Sequence, residues 1–206
     1  LLSGVSHDLR TPLTRLRLGL AMLEHEDKEA LEKDVTEMQA LIDEFLSFTR
    51  GQGEVEAHRE RLDIWQLVDD VVRQANVHTD RLVFSRPEAP LIMDIRPLSI
   101  RRAIDNLVSN GLRYANHVRV SGNIKQKTVQ IHVEDDGPGI PEDKVKDALK
   151  PFARLDAARN QNFGTGAGLG LPIVADIAHA HGGQLVLSRS EALGGLRATF
   201  SLGLKK

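Results

Sequence analysis

The sequence predicts a chain in two parts: an α-helical hairpin that pairs with a second copy into a four-helix bundle, then an α/β sandwich. Three observations carry this. Leu2, Leu9, Leu16 and Leu23 recur every seven residues, with Leu13 and Leu20 interleaved at four-three spacing, the pattern of a helical seam. Gly51-Gln52-Gly53-Glu54 opens a polar stretch running to about Arg59, the best domain boundary in the chain. Beyond it, helical and strand periods follow one another in an order that gives no strict βαβ repeat, so a mixed sheet with helices on one face is expected. The parts are residues 1–50, a linker 51–59 and a domain 60–206.

Composition narrows the classes. The chain has 206 residues, 27% charged and 41% hydrophobic, within the range of soluble globular proteins. A net charge of -2 gives no bulk electrostatic reason to bind nucleic acid. The absence of cysteine removes disulfides and thiolate metal sites and fits a reducing compartment. No apolar run reaches the ~18 residues of a membrane-spanning helix. The chain starts at Leu1 inside an amphipathic pattern, as expected of a piece of a longer protein.

The first helix is expected over residues 1 to about 24. His7 and Thr11 are four apart, so they share a face, and that face lies off the leucine seam, toward water. Pro12 should bend the helix just past His7. Acidic residues (Glu24, Glu26, Asp27, Glu29) suit a turn. A second helix, roughly 28–50, carries the stripe Leu31, Val35, Met38, Ile42 and Phe45. Such a hairpin has too little core to stand alone, which favours the bundle over a hairpin folded back on its own C-terminal domain.

In the second part, Ile64–Ala75 reads as a helix. Arg81–Ser85 and Leu91–Ile95 read as short strands divided by Arg86-Pro87-Glu88-Ala89-Pro90. Pro97 to about Ala115 reads as a helix with proline near its first turn, burying Leu98, Ala103, Ile104, Leu107, Val108 and Leu112. Val118–Ile124 and Thr128–Glu134 alternate as paired strands around Lys125-Gln126-Lys127. A short helix follows Pro141, then a polar segment from about Ala153 to Gly166. A helix over Leu169–His181 and strands Gln184–Ser188 and Arg197–Leu202 close the chain.

Four groups of residues could carry chemistry. Asn106 and Asn110 put two carboxamides on one helix face, and their neutral oxygens suit a hard cation such as Mg2+; exposed helix polarity would explain them equally well. Asp135-x-Gly137-x-Gly139-Ile140 follows a strand directly. A carboxylate there can accept from an exocyclic amine, and the glycines let a flat ring approach the backbone; an ordinary Asp-Gly turn is the plain alternative. Gly164-Thr165-Gly166-Ala167-Gly168-Leu169-Gly170-Leu171 opens onto a helix, where backbone N–H groups can cradle phosphate. It is not a Walker motif, which needs Gly-Lys-Ser/Thr, nor a Rossmann fingerprint, which opens the first βαβ unit. The preceding loop, with Arg154, Arg159, Asn160, Gln161 and Asn162, is a candidate lid whose arginines can reach phosphates. Finally, Ser6-His7-Asp8-Leu9-Arg10-Thr11-Pro12 offers a nucleophilic imidazole beside a carboxylate. His25, His58, His78, His117, His132, His179 and His181 lack that context and are read as surface or core residues.

With these motifs in this order, the chain resembles the sensor histidine kinases of bacterial two-component systems over nearly its whole length. Residues 6–12 look like the H box, Asn106–Asn110 with Arg113 and Tyr114 the N box, Asp135–Gly139 the G1 box, Pro151-Phe152 the F box and Gly166–Leu171 the G2 box. Gly4-Val5-Ser6-His7-Asp8-Leu9-Arg10-Thr11-Pro12-Leu13-Thr14-Arg15 and Pro97-Leu98-Ser99-Ile100-Arg101-Arg102-Ala103 place it nearest the EnvZ-like osmosensing kinases. The resemblance implies a dimerisation and phosphoacceptor hairpin followed by an ATP-binding domain of the Bergerat (GHKL) type. It implies that His7 takes the γ-phosphoryl of ATP, that Asp8 orients or deprotonates the ring, and that Thr11 positions water for dephosphorylating the partner. Asn110, supported by Asn106, would hold Mg2+. Asp135 would contact adenine, Arg113 and Tyr114 would line the nucleotide site, and the glycines would admit the phosphates. Implied partners are a second copy through residues 1–50 and the receiver domain of an OmpR-like response regulator; the membrane is met only through N-terminal parts beyond this sequence, with this portion cytoplasmic. Leu149-Lys150 and Ala167 depart from the family pattern, which often has Phe with an acidic residue, and Thr, at those places. A GHKL ATPase driving clamp closure, or a degenerate kinase fold that only binds, are the other readings; His7 on a dimerising hairpin, with Asn110 and Asp135 intact, argues against both.

Overall fold

The computed structural model describes residues 58–77, 79–153 and 168–204, with Leu16, Leu31, Val35, Thr36, Met38 and Ile42 of the first part. Those six are helical, and Val35 packs against Ile42. The remainder of both hairpin helices lies outside the described residues, as does the polar segment from residue 154 on.

The second part is built around one strand. Thr128–Asp135 (β5) reads Thr-Val-Gln-Ile-His-Val-Glu-Asp, and its period of two sends Val129, Ile131 and Val133 to one face and Gln130, His132 and Glu134 to the other. It is the centre of a five-stranded sheet ordered β2-β4-β5-β7-β6, where β2 is Leu82–Ser85, β4 Val118–Lys125, β6 Leu185–Arg189 and β7 Leu196–Gly203. Only β2 and β4 run parallel; the other neighbours are antiparallel. Register aligns Val120, Val133 and Ala198 in one apolar row, and Gly122, Ile131 and Phe200 in the next. The indole of Trp65 occupies the space a side chain at position 122 would take.

Three helices cover the apolar face. Ile64–Asn76 (α1) is capped by Asp63, whose carboxylate accepts from the Trp65 N–H at 3.1 Å and the Leu91 N–H at 3.0 Å. Its buried residues Ile64, Trp65, Leu67, Val68, Val71 and Val72 form one stripe. Pro97–Tyr114 (α2) starts with proline in its first turn and buries Ile100, Ala103, Ile104, Leu107, Val108 and Gly111. It lies between α1 and Gly170–Ala180, numbered α4 here after the short α3 (Val145–Ala148), which itself follows a 3-10 turn at Glu142–Lys144. A mixed sheet with helices on one face is thus what the element order implied.

Two features depart from the sequence reading. Leu98, expected in the core, is 74% exposed. It sits ~120° around the helix from Ile104, off the buried stripe that Ile100 and Gly111 complete. Glu60–Asp63, given no element, is a strand (β1) pairing antiparallel with Ile92–Ile95 (β3) as a separate two-stranded sheet. Arg59, the last residue of the expected linker, bonds Asp94 of β3 through its Nε at 2.8 Å and, through Nη2, the Asp94 carbonyl. A sequence as polar as Glu-Arg-Leu-Asp does not announce a strand; its pairing partner, 30 residues on, makes it one.

Candidate functional site

The sequence motifs of the second part converge around α2. Asn106 and Asn110 are half-buried on that helix, one turn apart. The start of α4 lies against Asn106, since a side-chain carbon added at Gly170 would meet Asn106 Oδ1 at 3.6 Å. At the other end of α2, the Tyr114 carbonyl lies against Gly137 of the Asp-x-Gly-x-Gly turn, 2.8 Å from where a Cβ would stand. Tyr114 and Arg113, in the last turn of α2, are both exposed. Ile140 and Leu171 pack against the main core, whereas Leu169 is fully buried beside Ile173 and Ile177.

Asp135 ends β5 on the helix-facing side and is 5% exposed. Its Oδ1 accepts from the Gly137 N–H at 2.9 Å and from the Leu196 N–H at 3.0 Å. Among the described residues, Oδ2 receives no hydrogen bond, which leaves it as the acceptor available to a ligand. Burial lifts this carboxyl above the usual aspartate value, and the nearby Asp136 charge adds to that; the Leu196 and Gly137 N–H groups oppose it. Gly195 approaches so closely that a Cβ there would lie 2.3 Å from Asp135 Oδ1, and its N–H donates to the Asp135 carbonyl at 3.0 Å. Gly139 adjoins Gly195.

The next residue, Asp136, closes the connection from α2 to β4. It accepts from the Asn116 and His117 N–H groups, both at 2.8 Å, and meets His117 Nδ1 at 2.7 Å. The His117 backbone N–H and ring, then the Asn116 N–H, hold its pKa down to about 2. This pair ties the end of the N-box helix to the strand that carries Asp135.

Before α4, the Phe152 N–H donates to the Gly168 carbonyl at 3.2 Å. Gly168 has φ +71, and a side chain there would strike the Ala153 carbonyl at 2.6 Å. Phe152 has φ 63 and is 57% exposed. Of the residues singled out from sequence, His7, Asp8, Thr11, Arg154, Gly164, Thr165, Gly166 and Ala167 lie outside the described residues. The structure sets Gly170 against Asn106 on α2 and sets Gly137, beside Asp135, against the Tyr114 end of the same helix, while Gly139 adjoins Gly195 and Gly168 adjoins the Phe152–Ala153 backbone. The sequence reading missed the turn 190–195, whose Gly194-Gly195 pair between two strands was its only signal.

The donor set suits a hard cation. Among the described residues, neither carboxamide of Asn106 and Asn110 has a hydrogen-bond partner, and their oxygens are the donors such a cation would take.

Two families match this chain. Histidine kinase-, DNA gyrase B-, and HSP90-like ATPase matches residues 95–206, and the His Kinase A (phospho-acceptor) domain matches residues 1–54. The chain belongs to the histidine kinase family. Residues 95–206 are its ATP-binding domain, in an α/β sandwich of the GHKL type, with the phosphoacceptor domain ahead of it. The chain is 38% identical over 213 residues to the sensor protein RstB of Escherichia coli, covering 98% of this chain and 48% of that protein. The histidine kinase domain of the E. coli osmosensor EnvZ is 34% identical, with a TM-score of 0.56 over 71% of this chain and 89% of that one. Full-length ShkA, solved in complex with AMPPNP, gives a TM-score of 0.71 over 98% of this chain and 45% of that one; at 23% identity it shows the fold alone. This kinase-family chain spans less than half the length of the curated relatives it matches.

Proposed function

We propose that this chain is the catalytic core of an EnvZ-like sensor histidine kinase. It phosphorylates itself on His7 from ATP, passes the phosphoryl group to an aspartate of an OmpR-like receiver domain, and removes it again when Thr11 positions water on the phosphorylated regulator. The observation that carries this reading is the placement of Asn106, Asn110, the Asp135 turn and the start of α4 along one helix, in a chain whose residues 1–54, the expected hairpin with Ser6–Pro12, match the phosphoacceptor domain. A clamp ATPase has no use for that hairpin.

The chemistry follows from the groups. Asp135 Oδ2 accepts the adenine amine, while the glycines at 137 and 139 leave room for the ring. Asn110, with Asn106 beside it, would hold Mg2+, which supplies charge neutralisation of the phosphates when bound. By the sequence motifs, Arg154 and the backbone N–H groups at residues 164–171 would contact the phosphates. Phosphoryl transfer depends mainly on positioning and electrostatics. The His7 imidazole donates its lone pair to the γ-phosphorus, the bond to the β–γ bridging oxygen breaks, ADP leaves, and Asp8 orients the ring and takes up its proton.

A second copy completes the four-helix bundle. Leu16, Leu31 and Met38 belong to the predicted seams yet stand 52%, 43% and 50% exposed in the single chain, the surface a four-helix bundle would cover. Among the described residues no helix is long and apolar enough to cross a membrane. We place this core on the cytoplasmic side, within a longer protein anchored in the bacterial inner membrane.

The test is incubation with γ-labelled ATP and Mg2+. An acid-labile, base-stable label that is lost in His7→Gln supports the proposal. Label that persists in that variant refutes the site.

A further inference from the structure

We infer that Glu134 and Ser190, which face away from the nucleotide pocket, are positioning residues that set the adenine-reading carboxylate of Asp135. This rests on the reading above that Asp135 accepts from adenine.

The argument starts from the alternation of β5. Glu134 and Asp135 are adjacent, so their side chains leave opposite faces of the sheet. On the outer face, register places Arg119, Glu134 and Arg197 in one row across β4, β5 and β7. Glu134 is only 3% exposed there. Arg119 Nη2 donates to its Oε2 at 2.8 Å, Arg197 Nη1 stands 4.0 Å from its Oε1, and the Ser190 hydroxyl donates to Oε1 at 2.9 Å. Burial raises the Glu134 carboxyl, but the hydrogen bonds from Arg119 and Ser190 and the two guanidinium charges bring it below the usual range. It is therefore ionised at neutral pH and a strong acceptor for Ser190.

Ser190 opens the turn that the sequence reading missed. Its hydroxyl accepts from the Leu193 N–H at 3.1 Å, its N–H donates to the Gly195 carbonyl at 2.8 Å, and its carbonyl accepts from the Gly194 N–H at 2.9 Å. Ser190 is itself 1% exposed. The far end of this turn delivers the Gly195 N–H to the Asp135 carbonyl and the Leu196 N–H to Asp135 Oδ1. The chain of contacts thus runs from Glu134, through the Ser190 turn, back to the neighbour of Glu134 on the same strand. Gly137, the other donor to Oδ1, lies two residues on and would hold the carboxylate only through a local turn. With the Leu196 N–H fixed, Oδ1 is committed and Oδ2 is left for the ligand, able to accept from an amine but repelled by a carbonyl oxygen. An aspartate free to rotate would discriminate less between adenine and guanine.

The experiment is titration of the purified chain with ADP and with GDP, for the wild type, Ser190→Ala, Glu134→Gln, the double variant, Ser190→Thr and Asp135→Asn, each checked for folding by circular dichroism. Loss of the hydrogen bond in Ser190→Ala, or of its charge assistance in Glu134→Gln, predicts ADP affinity about three- to ten-fold lower, with GDP affinity unmoved. The preference for ADP over GDP falls by the same factor. The double variant falls no further than the worse single, because both act through one contact. Ser190→Thr, which keeps the hydroxyl, retains the wild-type preference. In autophosphorylation, KM for ATP rises while kcat at saturation holds. Should Glu134→Gln fail to fold, Ser190→Ala decides alone. A folded Ser190→Ala with wild-type affinity and preference overturns the inference if Asp135→Asn has lost the preference. Wild-type preference in Asp135→Asn itself overturns the adenine reading, and this inference with it.

Discussion

Alanine at position 195 tests the packing of the site directly. An added Cβ would sit 2.3 Å from Asp135 Oδ1 and 2.5 Å from both the Asp135 carbonyl oxygen and the Gly137 nitrogen. Two of these are backbone atoms and the third is a carboxylate oxygen held by the Gly137 and Leu196 N–H groups, so the turn must back away from β5. Forced separation in a packed site costs about 1–3 kcal/mol. It also stretches two hydrogen bonds, Gly195 N–H to Asp135 O and Leu196 N–H to Asp135 Oδ1, each contributing roughly 0.5–1.5 kcal/mol. The expected total is about 2–6 kcal/mol of stability, with weakened ADP binding because the carboxylate loses its fixed donor. The neighbouring glycine supplies the control. Gly194 has φ +89 and open space around its Cβ position, so Gly194→Ala meets backbone strain alone, about 1–2 kcal/mol, and leaves ADP affinity unchanged. Urea unfolding and ADP titration of both variants give the comparison. A Gly195→Ala protein as stable as wild type, or a larger loss of ADP affinity in Gly194→Ala, would refute the close packing of the turn on Asp135.

Three further outcomes follow from the geometry. Asn110→Ala should weaken nucleotide binding in the presence of Mg2+ and leave binding in EDTA nearly unchanged; equal loss in both media would mean that Asn110 does not serve the metal. Asp136 has a folded pKa of about 2, below its ordinary 3.8, so its contribution to stability is present above about pH 4 and disappears as the pH falls toward 2. Asp136→Asn should therefore be less stable than wild type at pH 5 and converge on it at pH ~2 in urea unfolding; curves that stay parallel across that window contradict the assignment. Thr11→Ala should slow dephosphorylation of a phosphorylated receiver domain while autophosphorylation continues, and equal loss of both would reduce Thr11 to a structural role.

What could be read from the sequence was what depends on near neighbours. The stripe of α1, the proline start of α2, and the hairpin around Gln126 are local patterns, and the glycine motifs announce themselves by composition. What could not be read depends on distant pairing. Glu60–Asp63 becomes a strand only because Ile92–Ile95 lies beside it. Leu98 looks like core by hydrophobicity and is exposed by angle. The largest omission was at the site itself. Asp135 was legible, but the Leu196 and Gly195 N–H groups that hold it come from a turn about 60 residues later, and nothing local to Gly194-Gly195 says which carboxylate it will meet. Likewise Glu134 reads as a polar strand residue until register sets it between Arg119 and Arg197.

The hydrogen bond from Phe152 to Gly168 joins the two ends of the intervening segment at a single point of the fold. Chain entering and leaving at one place imposes no spacing on what lies between. Closing a loop whose ends already meet costs entropy that grows only with the logarithm of its length, roughly 0.6 kcal/mol for each doubling. Residues could be added to or removed from that excursion without pulling α2, α4 or β5 out of register. The part of the chain that would touch the phosphates is thereby free to diverge in length and composition, while the carboxylate proposed to read the base stays locked to the sheet.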